Sequence, residues 1–368
     1  MIRFMGMKPR VVVAMSGGVD SSLTAALLVH QGYDVIGITM QIWDKDISEE
    51  VSDERGCCSL SAVGDARRVA DALGIPYYVL NFREMFEETV VQYFIKEYAL
   101  GKTPNPCVAC NRHVKFEGLL NKSLGLGAQY VATGHYARIS YDKNIQRFTL
   151  RKGIDSSKDQ SYALYHLNQN TLKHFLMPLG DYTKVQTRQL AAELGLAVAN
   201  KPDSQEICFI PNDDYKSFLA ENAPDSLKPG DIVDTNGKIV GRHQGLPLYT
   251  VGQRKGLGLA AGKPLYVVEL NYNKNTVVVG DNNEVFATEL IAEDLNFIAF
   301  DTLDASLRSY AKIRYSAQEA SAKLIPLEKG KVHVVFDSPQ RAITPGQSIV
   351  FYDGDLVIGG GIIAKVLR

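Results

Sequence analysis

The chain has 368 residues, with 40 lysines and arginines against 41 aspartates and glutamates, for a formal net charge of −1. That length allows two or three domains with real cores. The balance of charge excludes a global basic field, so any polyanion has to be met by local patches. No apolar run is long enough to span a bilayer, and residues 1–8 lack a secretory pattern. Five cysteines in so large a chain do not read as a disulfide framework. The expectation is a cytoplasmic protein with no membrane partner.

In chain order, Val11-Val12-Val13-Ala14 reads as a buried parallel strand, and a helix starts near Leu23. Between them lies Ser16-Gly17-Gly18-Val19-Asp20-Ser21-Ser22, where Asp20 and Ser21 are helix-capping types. A glycine turn between strand and helix N-terminus is an anion site, because backbone N–H groups and the helix dipole converge there. The usual P-loop would end in Gly-Lys-Ser/Thr, and no lysine is present. The loop instead resembles that of the N-type ATP pyrophosphatases; a ligand-free glycine turn is the plainer alternative.

Gly32 closes the first helix, and residues 35–40 form a second buried strand with Met40 at its carboxyl end, where ligands bind in open α/β sheets. An amphipathic helix over 59–73, a strand over 77–80 and a long helix over 85–100 continue the alternation. This predicts a doubly wound parallel sheet. The adjacent Cys57 and Cys58 read as packing residues.

Thr103-Pro104-Asn105-Pro106-Cys107-Val108-Ala109-Cys110-Asn111 reads as a rigid extended loop that holds two cysteines ahead of a helix over 111–126. Cys110 would sit near a helix N-terminus, which favours a thiolate. Cys107 and Cys110 admit three readings: a redox pair, half of a zinc site, or iron–sulfur ligands. With no second Cys-x-x-Cys, a closed zinc site is disfavoured. Residues 130–138 form a strand and glycine turn that place His135 and Arg138 at a strand's carboxyl end, where His135 alone would be an ordinary surface histidine.

Residues 147–152 form a strand, residues 156–162 read as a solvated loop, and Thr183 caps a helix that closes at Gly195. Cys208, taken alone, is a small packing residue. A short helix spans 213–220, Pro229-Gly230-Asp231 opens a β-rich segment, and Asn236-Gly237 marks a hairpin. Arg242, His243, Arg254 and Lys255 lie in glycine-rich loops and form a basic patch that would grip a phosphate backbone. From about Phe286, alternating strands and the turn Asp353-Gly354 indicate a small β-barrel.

Five motifs follow the glycine loop in order. They are Thr103-Pro104-Asn105-Pro106 with Cys110-Asn111, Ala132-Thr133-Gly134-His135-Tyr136-Ala137-Arg138, Lys158-Asp159-Gln160-Ser161-Tyr162, Asp203-Ser204-Gln205-Glu206-Ile207-Cys208-Phe209, and Tyr249 through Gly258. With Arg314-Tyr315, Thr344-Pro345-Gly346-Gln347 and Gly359-Gly360-Gly361, the series resembles the bacterial tRNA-specific 2-thiouridylase family across the whole chain. The resemblance implies an N-type ATP pyrophosphatase domain over 1–211, a central tRNA-binding domain over 212–285 and a C-terminal β-barrel over 286–368.

It also implies ATP with Mg²⁺ as cofactors, held at Ala14, Met15, Ser16, Gly17, Gly18, Val19, Asp20, Ser21, Met40 and Gly134, with Met40 against the adenine. Asn105, Pro106 and Cys107 take the base-contacting positions. His135, Lys158, Asp159, Gln160, Arg314, Tyr315 and Gln347 match tRNA contacts. The uracil C2 oxygen of the wobble uridine would attack the α-phosphate, giving an adenylated base and pyrophosphate. Cys208 would carry sulfur as a persulfide loaded by a cysteine desulfurase or relay protein. Cys110 would release that sulfur or attack itself, leaving a Cys110–Cys208 disulfide and AMP. The expected acceptors are the tRNAs for Lys, Glu and Gln.

The chain departs from the family at Cys107, where many members carry aspartate; a thiol at its ordinary pKa cannot take a carboxylate's role. Either that carboxylate is dispensable, or Cys107, Cys110 and Cys208 are three ligands of an iron–sulfur cluster. Two further alternatives are an ATP pyrophosphatase that adenylates a small metabolite and a tRNA-binding factor without chemistry. The paired cysteine motifs and the intact glycine loop argue against these.

Overall fold

The computed structural model describes residues 8–42, 60–203, 207–210, 212, 214–259 and 262–368. Cys57, Cys58, Ser59 and residues 204–206 lie outside the described residues. The chain packs as two units: Met1–Thr89, Cys107–Asn212 and Asp355–Val357 form one, and Val90–Pro106, Asp213–Gly354 and Ile358–Arg368 the other.

The first unit is built on five parallel strands: β1 (Arg10–Ala14), β2 (Asp34–Gln41), β3 (Tyr77–Asn81), β4 (Tyr130–Ala132) and, after the hairpin β5 (Ala137–Asp142) and β6 (Arg147–Lys152), β7 (Phe175–Leu176). Their order is β3-β2-β1-β4-β7, with Val12 opposite Ile36 on one side and Val131 on the other. Val11, Val12 and Val13 are fully buried, as a central strand covered on both faces requires. Two helices, α1 (Val19–His30) and α2 (Leu60–Leu73), follow β1 and β2. Leu23, Ala26 and Leu28 of α1 and Ala66 and Val69 of α2 join Val11 and Val13 in one core. The connections leave β1 in one direction and β4 in the other, so the sheet reverses its winding between these two strands. That crevice, at their carboxyl ends, is where ligands bind in such sheets.

Several local expectations shift. The helix following the Thr103 motif starts at Pro106, suited to a first helical position because its missing N–H has no intrahelical partner anyway. Cys107 and Cys110 therefore lie on the helix, and Cys110 begins a widened π-helical stretch, Cys110–Gly118. Arg138 is a strand residue of β5, tied to Asp355 at 2.7 Å, and does not stand at the end of β4.

In the second unit, β8 (Gly230–Asp234), β9 (Ile239–His243), β10 (Tyr266–Asn271) and β11 (Thr276–Gly280) form a sheet of order β10-β11-β8-β9. The helix before it runs Tyr215–Asn222, capped by Asp214, two residues later than the sequence suggests. Gly237, at φ 84°, makes the β8–β9 turn. Arg242 and His243 belong to β9, and His243 is buried with its Nε2 against the Asn275 carbonyl. His243 thus drops out of the basic patch. Burial also pushes its ring pKa down.

The strands β12 (Phe286–Phe297), β13 (Leu307–Lys312), β14 (Ala320–Leu327), β15 (Lys331–Arg341), β16 (Ser348–Asp353) and β17 (Leu356–Leu367) run in the order β12-β15-β14-β13-β16-β17. β12 pairs with β17 and closes a six-stranded barrel. Inward-facing Leu290, Leu324, Val334, Ile349, Phe351 and Ile363 fill it.

Candidate active site

The glycine loop sits at the winding reversal. Gly17 adopts φ 68°, and a Cβ there would fall 2.1 Å from the Ala62 carbonyl oxygen of α2. A Cβ on Gly134, just after β4, would meet Asp20 and Ser21 at 2.8–2.9 Å. Both glycines are needed for close backbone approach: Gly17 lets the loop after β1 lie against α2, and Gly134 brings the end of β4 onto the first turn of α1.

Gly18 is the N-cap of α1 and offers no side-chain cap. Asp20 and Ser21, expected as capping types, lie inside the first turn and do other work. The Ser21 hydroxyl takes a hydrogen bond from the Ser16 N–H at 3.1 Å and donates to the Gly18 carbonyl at 3.2 Å, bracing the loop. The first-turn N–H groups are thus left for an anion. Ser22 Oγ is fully buried without a partner among the described residues. Met15 and Val19 have buried side chains in the core, so only their backbone can face a ligand. Ala14 and Met40 are half-buried at the ends of β1 and β2.

The cation that the loop's own sequence lacks comes from elsewhere. Lys184 Nζ lies 2.7 and 2.8 Å from the two Asp20 carboxylate oxygens and 2.8 Å from Asp203 Oδ1. Lys201 Nζ reaches the Gly17 carbonyl at 3.2 Å and Asp65 at 2.5 Å. The Tyr136 hydroxyl donates to Asp20 at 2.8 Å and lies 3.0 Å from Thr187 Oγ1. Burial pushes that phenol well above its usual range.

Asp203 holds Lys158 at 2.8 Å and Arg188 at 2.9 Å as well as Lys184. Burial works to raise its carboxyl pKa, but the hydrogen bonds and charges of Lys158 and Lys184 hold it below the usual carboxylate range. The result is an alternating chain of charges, Asp20–Lys184–Asp203, that ends five residues before Cys208.

Sequence reasoning missed Lys184, Lys201, Arg188 and Asp65. One signal was available: Lys184 directly follows the N-cap Thr183, and a cation at a helix N-terminus opposes the dipole. Such a placement asks for compensating anions, and Asp155 supplies another by accepting the Lys184 N–H at 2.9 Å.

Several expected tRNA contacts are committed inside the protein. His135 is buried, with its Nδ1 2.8 Å from Thr133 Oγ1 and its ring tilted on Phe116, so it is not an ordinary surface histidine. Burial, with help from Lys115 and His166, lowers its pKa to about 3. Ser156 and Ser157 are exposed, but residues 158–162 are not a solvated loop. Lys158 is half-buried on Asp203; Asp159 accepts the Gly153 and Ser161 N–H groups; Gln160 Oε1 accepts the Tyr136 N–H. Gln347 donates to the Thr103 and Pro104 carbonyls at 2.9 and 3.3 Å, and Arg314 donates to the Ala342 carbonyl. Tyr315 is exposed, with Lys312 over its ring. Arg254 and Lys255 are exposed on a loop braced by Gln253, which bonds to the Thr250 N–H and the Lys255 carbonyl.

Cys107 is exposed, Cys110 and Cys208 are half-buried, and all three stand as thiols. Cys107, at the second helical position, feels the dipole more than Cys110, one turn further in. Phe209, next to Cys208, packs edge-on against Phe86 at 5.8 Å. Gly118, on the cysteine helix, gives way to Met85, whose sulfur would lie 2.5 Å from a Cβ there. Both cysteine segments are therefore anchored on residues 85–86. Asn105 is half-buried and Pro106 buried. Among the described residues no three His, Cys, Asp or Glu side chains are grouped to hold a metal. Cys107, Cys110 and Cys208 do not form such a set for a single metal ion.

A parallel sheet with a glycine loop at its winding reversal defines a doubly wound α/β fold of the kind that binds ligands at that crevice. The family description tRNA methyl transferase HUP domain matches residues 9–212, tRNA methyl transferase PRC-barrel domain matches 216–281, and Aminomethyltransferase beta-barrel domain matches 287–363. The tRNA-specific 2-thiouridylase MnmA of Acetivibrio thermocellus is 62% identical over 356 residues, covering 97% of this chain and 99% of its own. Those of Carboxydothermus hydrogenoformans and Clostridioides difficile are 56% and 54% identical, covering 98% and 99% of this chain and 99% and 100% of their own. The chain belongs to the tRNA-specific 2-thiouridylase family.

Proposed function

We propose that this protein is an ATP-dependent tRNA-uridine 2-sulfurtransferase. The observation that carries the reading is the charged glycine loop: open N–H groups on α1, with Lys184 and Lys201 brought in from remote sequence. ATP fits this loop, because Gly17 and Gly134 clear the backbone and the lysines meet the phosphates' charge. Mg²⁺ in this reading arrives on the nucleotide's phosphates.

The C2 oxygen of the wobble uridine attacks the α-phosphorus, the bond to the β-phosphate oxygen breaks, and pyrophosphate leaves. A persulfide donor has by then loaded Cys208 as Cys208–S–SH. Cys110 attacks the inner sulfur as a thiolate and forms the Cys110–Cys208 disulfide, releasing hydrosulfide. Hydrosulfide adds to C2, AMP leaves, and the base keeps the sulfur. The two thiols are oxidised as the persulfide sulfur is reduced, so a thiol reductant must reopen the disulfide before the next turnover. Cys107 then needs no chemical role. The acceptors are tRNAs of the Lys, Glu and Gln type, and the base meets Asn105, Pro106 and Cys107.

The test separates activation from sulfur transfer. Cys110→Ser and Cys208→Ser are expected to abolish 2-thiouridine formation while tRNA-dependent AMP or pyrophosphate release persists. Asp20→Ala is expected to abolish both. Release of AMP without tRNA would point to a small-metabolite substrate, and thiolation surviving Cys110→Ser would remove that residue from the reaction.

A further inference from the structure

Two motifs noted in the sequence, Thr103-Pro104-Asn105-Pro106 and Thr344-Pro345-Gly346-Gln347, meet within the second unit. The Thr103 N–H donates to the Pro345 carbonyl at 2.9 Å. In the other direction, Gln347 Nε2 donates to the Thr103 and Pro104 carbonyls. Gly346 adopts φ 91°, and a Cβ on it would fall 2.9 Å from Thr103 N and 3.0 Å from Lys102 Cβ. The turn that does this is itself fixed to the barrel, since Gly346 N–H donates to the Ile363 carbonyl at 2.9 Å and the Ile363 N–H donates to the Gln347 carbonyl at 2.8 Å. Thr344, buried, closes the turn onto the Ala342 carbonyl.

From this geometry we infer that Gln347 is a positioning residue, whose amide clamps the Thr103-Pro104 backbone and so fixes the chain at its entry into the cysteine-bearing helix. Pro104 carries no N–H and holds its φ, so its segment has few conformations to choose from once both carbonyls are held. The helix starts two residues later, at Pro106. An error in where or at what angle the chain enters would be passed along the helix to Cys110, four residues on. Reaction rates are steep in such errors, because a displacement of about 1 Å at a reacting group can cost roughly a hundredfold. The inference rests on Cys110 being the attacking thiol, but the clamp itself is readable in the resting protein.

The experiment uses the full chain without tRNA or ATP. Gln347→Glu keeps the side chain's size and replaces its two N–H donors by a charge facing two carbonyls. Amide hydrogen exchange at Thr103 is expected to quicken about tenfold, the equivalent of losing roughly one to two hydrogen bonds. Alkylation of Cys110 by a neutral thiol reagent is expected to change rate in the same sample. In turnover, kcat should fall about tenfold or more while KM for tRNA stays within about twofold. Gly346→Ala, which pushes on the same backbone by a different route, is expected to give the same pattern and guards against a variant that misfolds. Unchanged exchange at Thr103 in both variants overturns the clamp, whatever the activity does. So does a rise in KM for tRNA with kcat and exchange unaltered, because that is the signature of a residue that only touches RNA. Exchange needs no catalysis, so a failure of the thiolation reading would leave its result standing.

Discussion

Lys184 is the residue on which most of the candidate site depends. It is nearly buried and bridges two carboxylates, one in the glycine loop and one in the segment leading to Cys208. Removing one partner of a buried ion pair costs about 3–5 kcal/mol, because the remaining charge is left uncompensated. Lys184→Ala would take from Asp20 its lysine and leave Asp203 to Lys158 and Arg188, so thermal unfolding should show destabilisation of about 3 kcal/mol, carried mainly by Asp20. Affinity for a non-hydrolysable ATP analogue, measured by calorimetry, should fall at least tenfold, because the Asp20 carboxylate would then face the phosphates without its lysine. Unchanged nucleotide affinity would exclude Lys184 from the phosphate site.

At the scale of elements, the helix over 106–125 packs Phe116 between His135 and His166, with ring centroids at 5.6 and 6.0 Å. Both ring nitrogens of His166 are shut off from solvent without a partner among the described residues, although an edge of the residue is accessible. Burial, with Arg112 and His113 nearby, lowers its pKa to about 3, close to the value for His135. Both folded values lie below the unfolded 6.5, so below pH 6.5 the unfolded chain binds protons that the folded chain refuses. Stability should therefore fall as pH drops from about 6.5 towards 3, by up to about 1.4 kcal/mol per pH unit for each histidine. Asp203 acts in a lower window: its depressed carboxyl contributes stability above the ordinary aspartate pKa and loses it as pH falls through the folded value. Urea unfolding at pH 7, 6 and 5 checks this, and His166→Gln should flatten the dependence.

Elements were easier to read than partners. The buried strands β1 and β2, the capped helix at Thr183 and the barrel from Phe286 follow from periodicity, capping chemistry and turn residues, all local in sequence. The glycine loop was legible for the same reason. What sequence did not reveal is how distant side chains pair. Lys184 meets Asp20 across 164 residues and Lys201 meets Gly17 across 184, and nothing local marks either contact. His135, Lys158 and Gln160 looked like open polar groups because burial is set by tertiary packing. Two prolines suggest an extended loop for Cys107 and Cys110, whereas Pro106 is suited to the first position of a helix and starts one.

At the scale of the whole molecule, near-neutral charge leaves RNA binding to local cations. Arg254 and Lys255 are the clearest candidates in the second unit, exposed on a loop whose shape Gln253 fixes without drawing on their side-chain charges. Arg254→Ala should weaken tRNA binding at every sequence and reduce the slope of log K against log salt by roughly one. A filter-binding titration at several salt concentrations measures this, and an unchanged slope would place Arg254 away from the phosphates.

Gly346 and Thr103 also bear on how this chain can vary through descent. Their stretches stand 244 residues apart at the Gln347–Thr103 contact, yet backbone on one side and a glycine without room for any side chain on the other leave neither free to drift alone. A change at 346 has no single compensating change at 103, because what it strikes is main chain, which every amino acid shares. Lineages of this protein should therefore inherit the two tetrapeptides as one block, and recombination that exchanged one half of the gene for a distant relative's would succeed only where both blocks still match.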